Sequence, residues 1–162
     1  MPGSRRAPIK MSIDETDNFT IHNYQPRDEA EVVSLWRECE LVVPWNNPLT
    51  DIARKTADSP HLFFIGRIEE QLVASCMAGY DGHRGWIYFL AVRKAHRHKG
   101  LAARLVRHVE AKLIELGCPK LELMVRDSNT SVISFYRNIG FKSEPVMVLS
   151  KRLIEDDEHD FL

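Results

Sequence analysis

Residues 86–113 read WIYFLAVRKAHRHKGLAARLVRHVEAKL, and this stretch decides the fold. Trp86 to Val92 is an unbroken apolar run of aromatic and β-branched side chains, the composition of a strand covered on both faces. From Leu101 the period changes. Leu101, Leu105, Val109 and Leu113 recur every four residues with Ala102, Val106 and Leu116 beside them, which predicts an amphipathic helix ended by Gly117 and Pro119. Between strand and helix the charge is of one sign: no acidic residue occurs from Gly82 through Val109, while Arg93, Lys94, Arg97, Lys99, Arg104 and Arg107 do. A surface built only for solubility mixes its signs, so this run points to an anionic partner. The first turn of a helix carries N–H groups without internal acceptors and the positive end of the helix dipole, a ready phosphate site. Gly100 there lets a ligand oxygen approach the main chain, and Arg97, Lys99 and Arg104 add charge around it. The alternative is a solvated basic helix end.

Working outward, FTIHNY at 19–24 predicts a strand, and RDEAEVVSLWREC at 27–39 a helix with Val32, Leu35, Trp36 and Cys39 on one face. PWNNPLT at 44–50 interrupts, and DIARKTA at 51–57 predicts a second short helix. HLFFIGRI and QLVASCMAGY, joined by Glu69 and Glu70, predict a hairpin, and DGHRG at 81–85 a turn. PKLELMV at 119–125 resumes strand composition. DSNTSVISFYRNIGF at 127–141 predicts a capped helix stopped by Gly140, and VMVLSKRL at 146–153 a closing strand. The expected order is β-αα-βββ-α-β-α-ββ, a mixed α/β domain.

The 162 residues suit one domain, expected at 18–154, with a flexible leader over 1–17 and an acidic, solvated tail over 155–162. A formal net charge of −1 disfavours bulk coating of nucleic acid, and no apolar run is long enough to span a bilayer. Three cysteines, Cys39, Cys76 and Cys118, form no CxxC or Cys/His pattern and fit reduced thiols in the cytoplasm; no metal site is expected.

Neither GxxxxGK[ST] nor GxGxxG occurs, which weakens nucleotide hydrolysis and dinucleotide binding. What stands after the apolar strand is Arg97-His98-Lys99-Gly100-Leu101-Ala102, an R-x-x-G-x-A. It resembles the acyl-CoA pyrophosphate loop of the GNAT acetyltransferases, [Q/R]-x-x-G-x-[G/A]. Asn129 followed by FYRNIGF at 135–141 is similar to the family's N…lYeklGF signature. GYDGHRG at 79–85 and KRLIEDD at 151–157 resemble the YpeA-type bacterial subgroup, and the resemblance covers roughly residues 19–154. One departure is His98, where many members carry glycine.

The resemblance implies a GNAT acyl-CoA N-acyltransferase fold with a splayed central sheet, and acetyl-CoA as cosubstrate. By it, the pantetheine arm pairs with the backbone of Leu90, Ala91 and Val92, and an N–H near Leu90 or Ala91 holds the oxyanion. The loop from Arg97 through His98, Lys99, Gly100, Leu101, Ala102 and Ala103 to Arg104 holds the pyrophosphate. Asn129 and Phe135 belong to the cofactor side, and Tyr136 is the general acid to the leaving sulfur. A core aromatic is the other reading of Tyr136. No Glu occurs on the strand, so Asp81, His83 and Glu122 are the candidate bases; Trp45, Tyr80 and Arg84 are the acceptor-site candidates. The expected reaction is direct acetyl transfer to a primary amine, of a small molecule or a protein N-terminus, without nucleic-acid or membrane partners. Family members often pair through their sheets, so a homodimer is a further expectation. An acyl-CoA sensor without turnover and a nucleic-acid-binding domain are the alternative readings.

Overall fold

In the computed structural model, residues 15–158 are described. Residues 1–14 of the expected leader and 159–162 of the tail lie outside them.

The elements are β1 (Phe19–Asn23), α1 (Glu29–Glu38), α2 (Pro48–Asp58), β2 (Phe63–Ile68), β3 (Gln71–Tyr80), β4 (Gly85–Val92), α3 (Leu101–Glu115), β5 (Leu121–Glu122) and α4 (Thr130–Asn138). They build a five-stranded sheet in the order β1-β2-β3-β4-β5, antiparallel except for the β4–β5 pair. One face packs against α1 and α2 through Val32, Leu35, Trp36, Ile52, Phe63, Ile65, Leu72 and Met77. The other packs against α3 and α4 through Phe64, Val73, Cys76, Ile87, Leu101, Leu105, Val109 and Tyr136. The mixed α/β expectation therefore holds, with helices on both faces of a sheet whose central strands read as near-continuous apolar runs.

Local chemistry explains the boundaries. α2 starts three residues before the expected Asp51, because Asn47 accepts a hydrogen bond from the Leu49 N–H (3.0 Å) and Pro48 occupies the first helical position. The Asn-Pro pair starts a helix rather than interrupting one. Gly66 is required by a close approach: a side-chain carbon there would lie 2.5 Å from the Phe19 ring. α3 runs as its four-residue repeat predicts and stops at Gly117 with φ +80°.

Two expectations need correction. Of PKLELMV only Leu121 and Glu122 pair with β4, opposite Gly85 and Trp86, because β4 then leaves β5. VMVLSKRL makes no ladder with the sheet, and Val146, Met147, Val148 and Leu149 are each 62–87 % exposed. The acidic tail is not wholly solvated either. Asp156 accepts from the Asn47 N–H (2.7 Å) and from Arg54 (2.6 Å), which docks the chain end on the start of α2.

Candidate active site

β4 is regular against β3 only in part. Met77 pairs with Tyr88 and Ser75 with Ala91, so Phe89 and Leu90 together oppose Cys76. That is a β-bulge, and Phe89 takes φ +50°, a conformation that a bulky side chain rarely adopts. The surroundings hold it there. The Phe89 ring stacks on Trp36 at 4.1 Å, its carbonyl accepts from the Ser75 hydroxyl (3.4 Å), and the Trp36 indole donates to the same hydroxyl (3.0 Å). Strain at one residue is thus over-determined by a ring stack and two hydrogen bonds, as is common where backbone is re-aimed for function.

The bulge lies beyond the point at which β4 parts from β5. From Ile87 to Val92 the edge of β4 away from β3 has no strand beside it among the described residues, so alternate N–H and C=O groups face the cleft. At the end of that edge Lys94–His96 form a short 3-10 turn and Gly100, with φ +78°, leads into α3. A side-chain carbon on Gly100 would meet no protein atom within 4 Å, so the space over the helix start is open. Leu101 is buried and contributes its backbone; Ala102 and Ala103 are half-buried, while His98 and Lys99 are exposed. His98 stands where the family favours glycine and adopts φ +61°, so the loop keeps its left-handed turn at some cost in strain.

The arginines divide. Arg97 closes the loop on the strand, donating from Nε to the Val92 carbonyl (3.1 Å) and from a terminal nitrogen to Cys39 Sγ (3.4 Å). Arg104 turns away from the helix start: it donates to the Thr16 (2.8 Å) and Phe19 (3.3 Å) carbonyls and lies over the Phe19 ring at 4.9 Å. Its guanidinium binds the chain entering β1, which is a structural role.

On the other side of the cleft Asn129 caps α4, accepting from the Val132 N–H (3.4 Å). Phe135 and Phe141 contact Tyr136 edge-on at 5.0 and 5.2 Å. Tyr136 is buried, and burial first, then the neighbouring Cys76, raises its phenol well above the usual value near 10. Tyr136 shares the core on this face with Cys76, the residue opposite the bulge. Core aromatic and candidate acid are here the same residue. A phenol held neutral can donate a proton at any pH below 10.

The three candidate bases are elsewhere. Asp81 builds its turn: Oδ1 accepts from the His83 (2.8 Å) and Arg84 (2.7 Å) N–H groups, and Oδ2 from the Trp86 indole (3.2 Å). The Arg84 and His83 N–H groups, then the indole, lower its carboxyl pKa, which suits an anchor better than a base. His83 is exposed at the turn seven residues before Leu90, about 20 Å away along the strand. Glu122 pairs with Lys120 (3.2 Å) and Arg84 (3.8 Å), opposite Trp86 at the closed end of the β4–β5 pair. The same ion pair occupies Arg84, while the Tyr80 hydroxyl donates to the Gly117 carbonyl (3.5 Å) at the far end of α3. Of the acceptor-site candidates, Trp45 alone sits in the α1–α2 loop, as a residue 55 % exposed.

Two polar residues beside the bulge were not singled out in the sequence. Tyr88 precedes the bulge, pairs with Met77 and therefore points to the α1–α2 face; it is 43 % exposed. Burial and, secondarily, Asp81 raise its phenol pKa. Its polar tip was the sequence signal, hidden in a run read as covered on both faces. Ser75, a polar residue inside an apolar strand, was a second such signal.

A bulged strand thus parts from its parallel neighbour above an open helix start. The acetyltransferase (GNAT) family matches residues 29–141. The chain belongs to the GNAT acetyltransferase family. It is 44 % identical over 140 residues to an acetyltransferase of Sodalis glossinidius, covering 86 % of this chain and 99 % of the relative. To an acetyltransferase of Yersinia pestis it is 43 % identical over 139 residues, covering 86 % and 99 %. Its fold matches the NatC complex bound to Gag peptide and CoA with a TM-score of 0.66, at 19 % identity over 77 % of this chain and 85 % of that one. This GNAT chain is therefore an acyltransferase enzyme on a splayed α/β sheet. Among its described residues no helix is long and apolar enough to cross a membrane, and no three His, Cys, Asp or Glu gather as metal ligands.

Proposed function

We propose that this GNAT enzyme is an acetyl-CoA-dependent N-acetyltransferase that acts in the cytoplasm on a primary amine of a small molecule or a protein N-terminus. The observation that carries the reading is the bulge at Phe89, which frees the edge of β4 just before the open N-terminus of α3.

The residues fit the donor. A pantetheine amide finds main-chain partners along Leu90 to Val92, and a pyrophosphate finds the N–H groups of Gly100 to Ala103 beneath open space. Asn129 caps α4 through Oδ1 and keeps Nδ2 to donate toward the arm. Acetyl-CoA supplies an activated acetyl group. The N–H of Leu90, turned out of the ladder by the bulge, stabilises negative charge building on the thioester oxygen. The Tyr136 hydroxyl gives its proton to the departing sulfur, and burial keeps that proton in place beforehand. Asp81 is engaged by the N–H groups of its own turn and Glu122 by Lys120 and Arg84, so the ammonium proton of the acceptor leaves to water on the α1–α2 face, beside Tyr88 and Trp45. CoA in the NatC neighbour supports the donor class; free Cys39, Cys76 and Cys118 support a reducing compartment.

Incubating the protein with acetyl-CoA and a panel of polyamines, aminoglycosides and peptides with free N-termini tests this. Thiol release together with an acetylated amine in the mass spectrum is the expected result. Binding of acetyl-CoA with no thiol release for any amine, under conditions in which a control acetyltransferase turns over, would contradict it.

A further inference from the structure

We propose that Gly79 opens a subsite for an aromatic ring of the acceptor amine, on the α1–α2 face of the sheet between Trp86 and Lys55. This deepens the N-acetyltransferase reading and rests on it for the identity of the reacting group, while the ring subsite is tested by binding alone.

Gly79 stands inside β3 without a local reason to be glycine. The other glycines of the described chain take a left-handed φ or, like Gly66 and Gly85, have a neighbour 2.5 or 2.8 Å from where a side chain would start. At Gly79 nothing but the adjoining residues lies within 4 Å of that point, and the residue is half-buried. The irregularity of the β3–β4 ladder lies further back, between Ser75 and Met77. Glycine weakens a strand interior, and it is found there where a ligand or another backbone comes close. No backbone of the described chain does so at Gly79, which leaves a ligand.

The walls name the chemistry of that ligand. Met77 belongs to the α1–α2 core, and alternation puts Gly79 on the same face, with Tyr88 opposite Met77 and Trp86 opposite Gly79. Trp86 does not cover the glycine: its indole is drawn to Asp81 (3.2 Å), and none of its atoms comes within 4 Å of the missing side chain. On the other flank β2 begins at Phe63, opposite Met77, so no β2 residue faces Gly79. Lys55 of α2 reaches in instead, donating to the Ala78 carbonyl and to the Ser59 hydroxyl (2.7 Å). A flat glycine floor, two aromatic side chains and a fixed ammonium suit a planar π ring, which packs on the aromatics and attracts the cation to its face. The same ammonium repels a second positive charge, which disfavours a polyamine. Trp86 lies three residues before Phe89, about 10 Å along the strand, so the ring belongs several bonds from the reacting nitrogen, as in phenylbutylamine or in the second residue of a peptide.

Calorimetric titration of the protein in saturating CoA with phenylbutylamine and with butylamine tests the proposal. Wild type should bind phenylbutylamine at least about tenfold more tightly. Gly79→Val fills the subsite with a strand-forming side chain, so the ratio should fall to about twofold or less while butylamine and acetyl-CoA affinities and Tm hold. Gly79→Ala adds one carbon into open space, should fall between the two, and carries the test if valine lowers Tm. Tighter binding of the peptide Ala-Phe-Gly-Gly than of Ala-Ala-Gly-Gly would assign the ring to a peptide N-terminus, and a preference for phenylbutylamine alone would assign it to a small arylalkylamine. Wild type without a ring preference in either pair, or variants that keep it in full, would overturn the subsite. Ring-selective binding without acetyl transfer would support the subsite and contradict the reaction, and transfer without ring preference would do the reverse.

Discussion

At the scale of single residues, the bulge depends on few atoms. Ser75 holds both the Trp36 indole and the Phe89 carbonyl, so Ser75→Ala leaves a buried donor unpaired. The expected loss is about 1–3 kcal/mol in urea unfolding, with a drop in kcat larger than any change in acetyl-CoA affinity; an unchanged kcat would detach the bulge from catalysis. Tyr136→Phe removes only the hydroxyl. It should lower kcat by about 10²–10⁴-fold, the usual worth of a positioned acid, and leave acetyl-CoA binding by calorimetry within about twofold. Asp81→Asn makes the opposite kind of prediction: the turn loses charge-assisted hydrogen bonds and Tm falls, while kcat stays within about threefold, because the carboxylate is committed to anchoring its own turn. A large kcat loss at normal Tm would return Asp81 to the chemistry. The FYRNIGF setting singled out Tyr136 in the sequence, and its apolar stripe also foretold the burial that the structure shows. Ser75 and Tyr88 were not singled out, because period and composition report which face a residue occupies only while a strand stays regular.

At the scale of elements, the α3 start is where sequence and structure agree most closely. The change from apolar run to four-residue repeat is local, and so are the glycine and the unpaired N–H groups that follow. Arg104 shows the limit of that reasoning. Its helical position is readable, but its direction depends on Phe19 and Thr16, more than eighty residues away in sequence. The same limit applies to the closing strand, since a strand is completed by its partner and VMVLSKRL has none within the described chain. His98 allows an element-level test. Its left-handed φ costs strain that glycine relieves, while glycine also loosens the unfolded chain, so His98→Gly should move stability by no more than about 1 kcal/mol. A destabilisation of several kcal/mol in urea would mean that the imidazole itself holds the loop.

At the scale of the molecule, the two-sided core sets the alkaline limit of stability. Cys76 is fully buried, and burial raises its thiol to about 12 from an ordinary value of 9. The folded protein therefore keeps a proton that the unfolded chain gives up above pH 9, and stability falls by about 1.4 kcal/mol per pH unit from there upward. Tyr136, raised in the same way, adds to the fall above pH 10. Urea unfolding at pH 8 and pH 10 checks the sign: wild type should lose about 1.4 kcal/mol more than Cys76→Ala, and equal losses would place the thiol in contact with solvent. The layer order was legible from the alternation of apolar strands with periodic helices. The splay was legible only through the family resemblance, since it arises from one bulge whose residues look like any buried strand.

The central claim is that β4 and the start of α3 form one acetyl-CoA site, and titration calorimetry of wild type against Gly100→Glu tests it most directly. A side-chain carbon at residue 100 meets nothing within 4 Å beyond its chain neighbours, so the variant should fold with little more than the cost of a left-handed φ. Wild type should bind acetyl-CoA, and the variant at least about 100-fold more weakly, a difference of about 2.7 kcal/mol. Equal affinity in the two proteins, or no binding by wild type, would contradict the account.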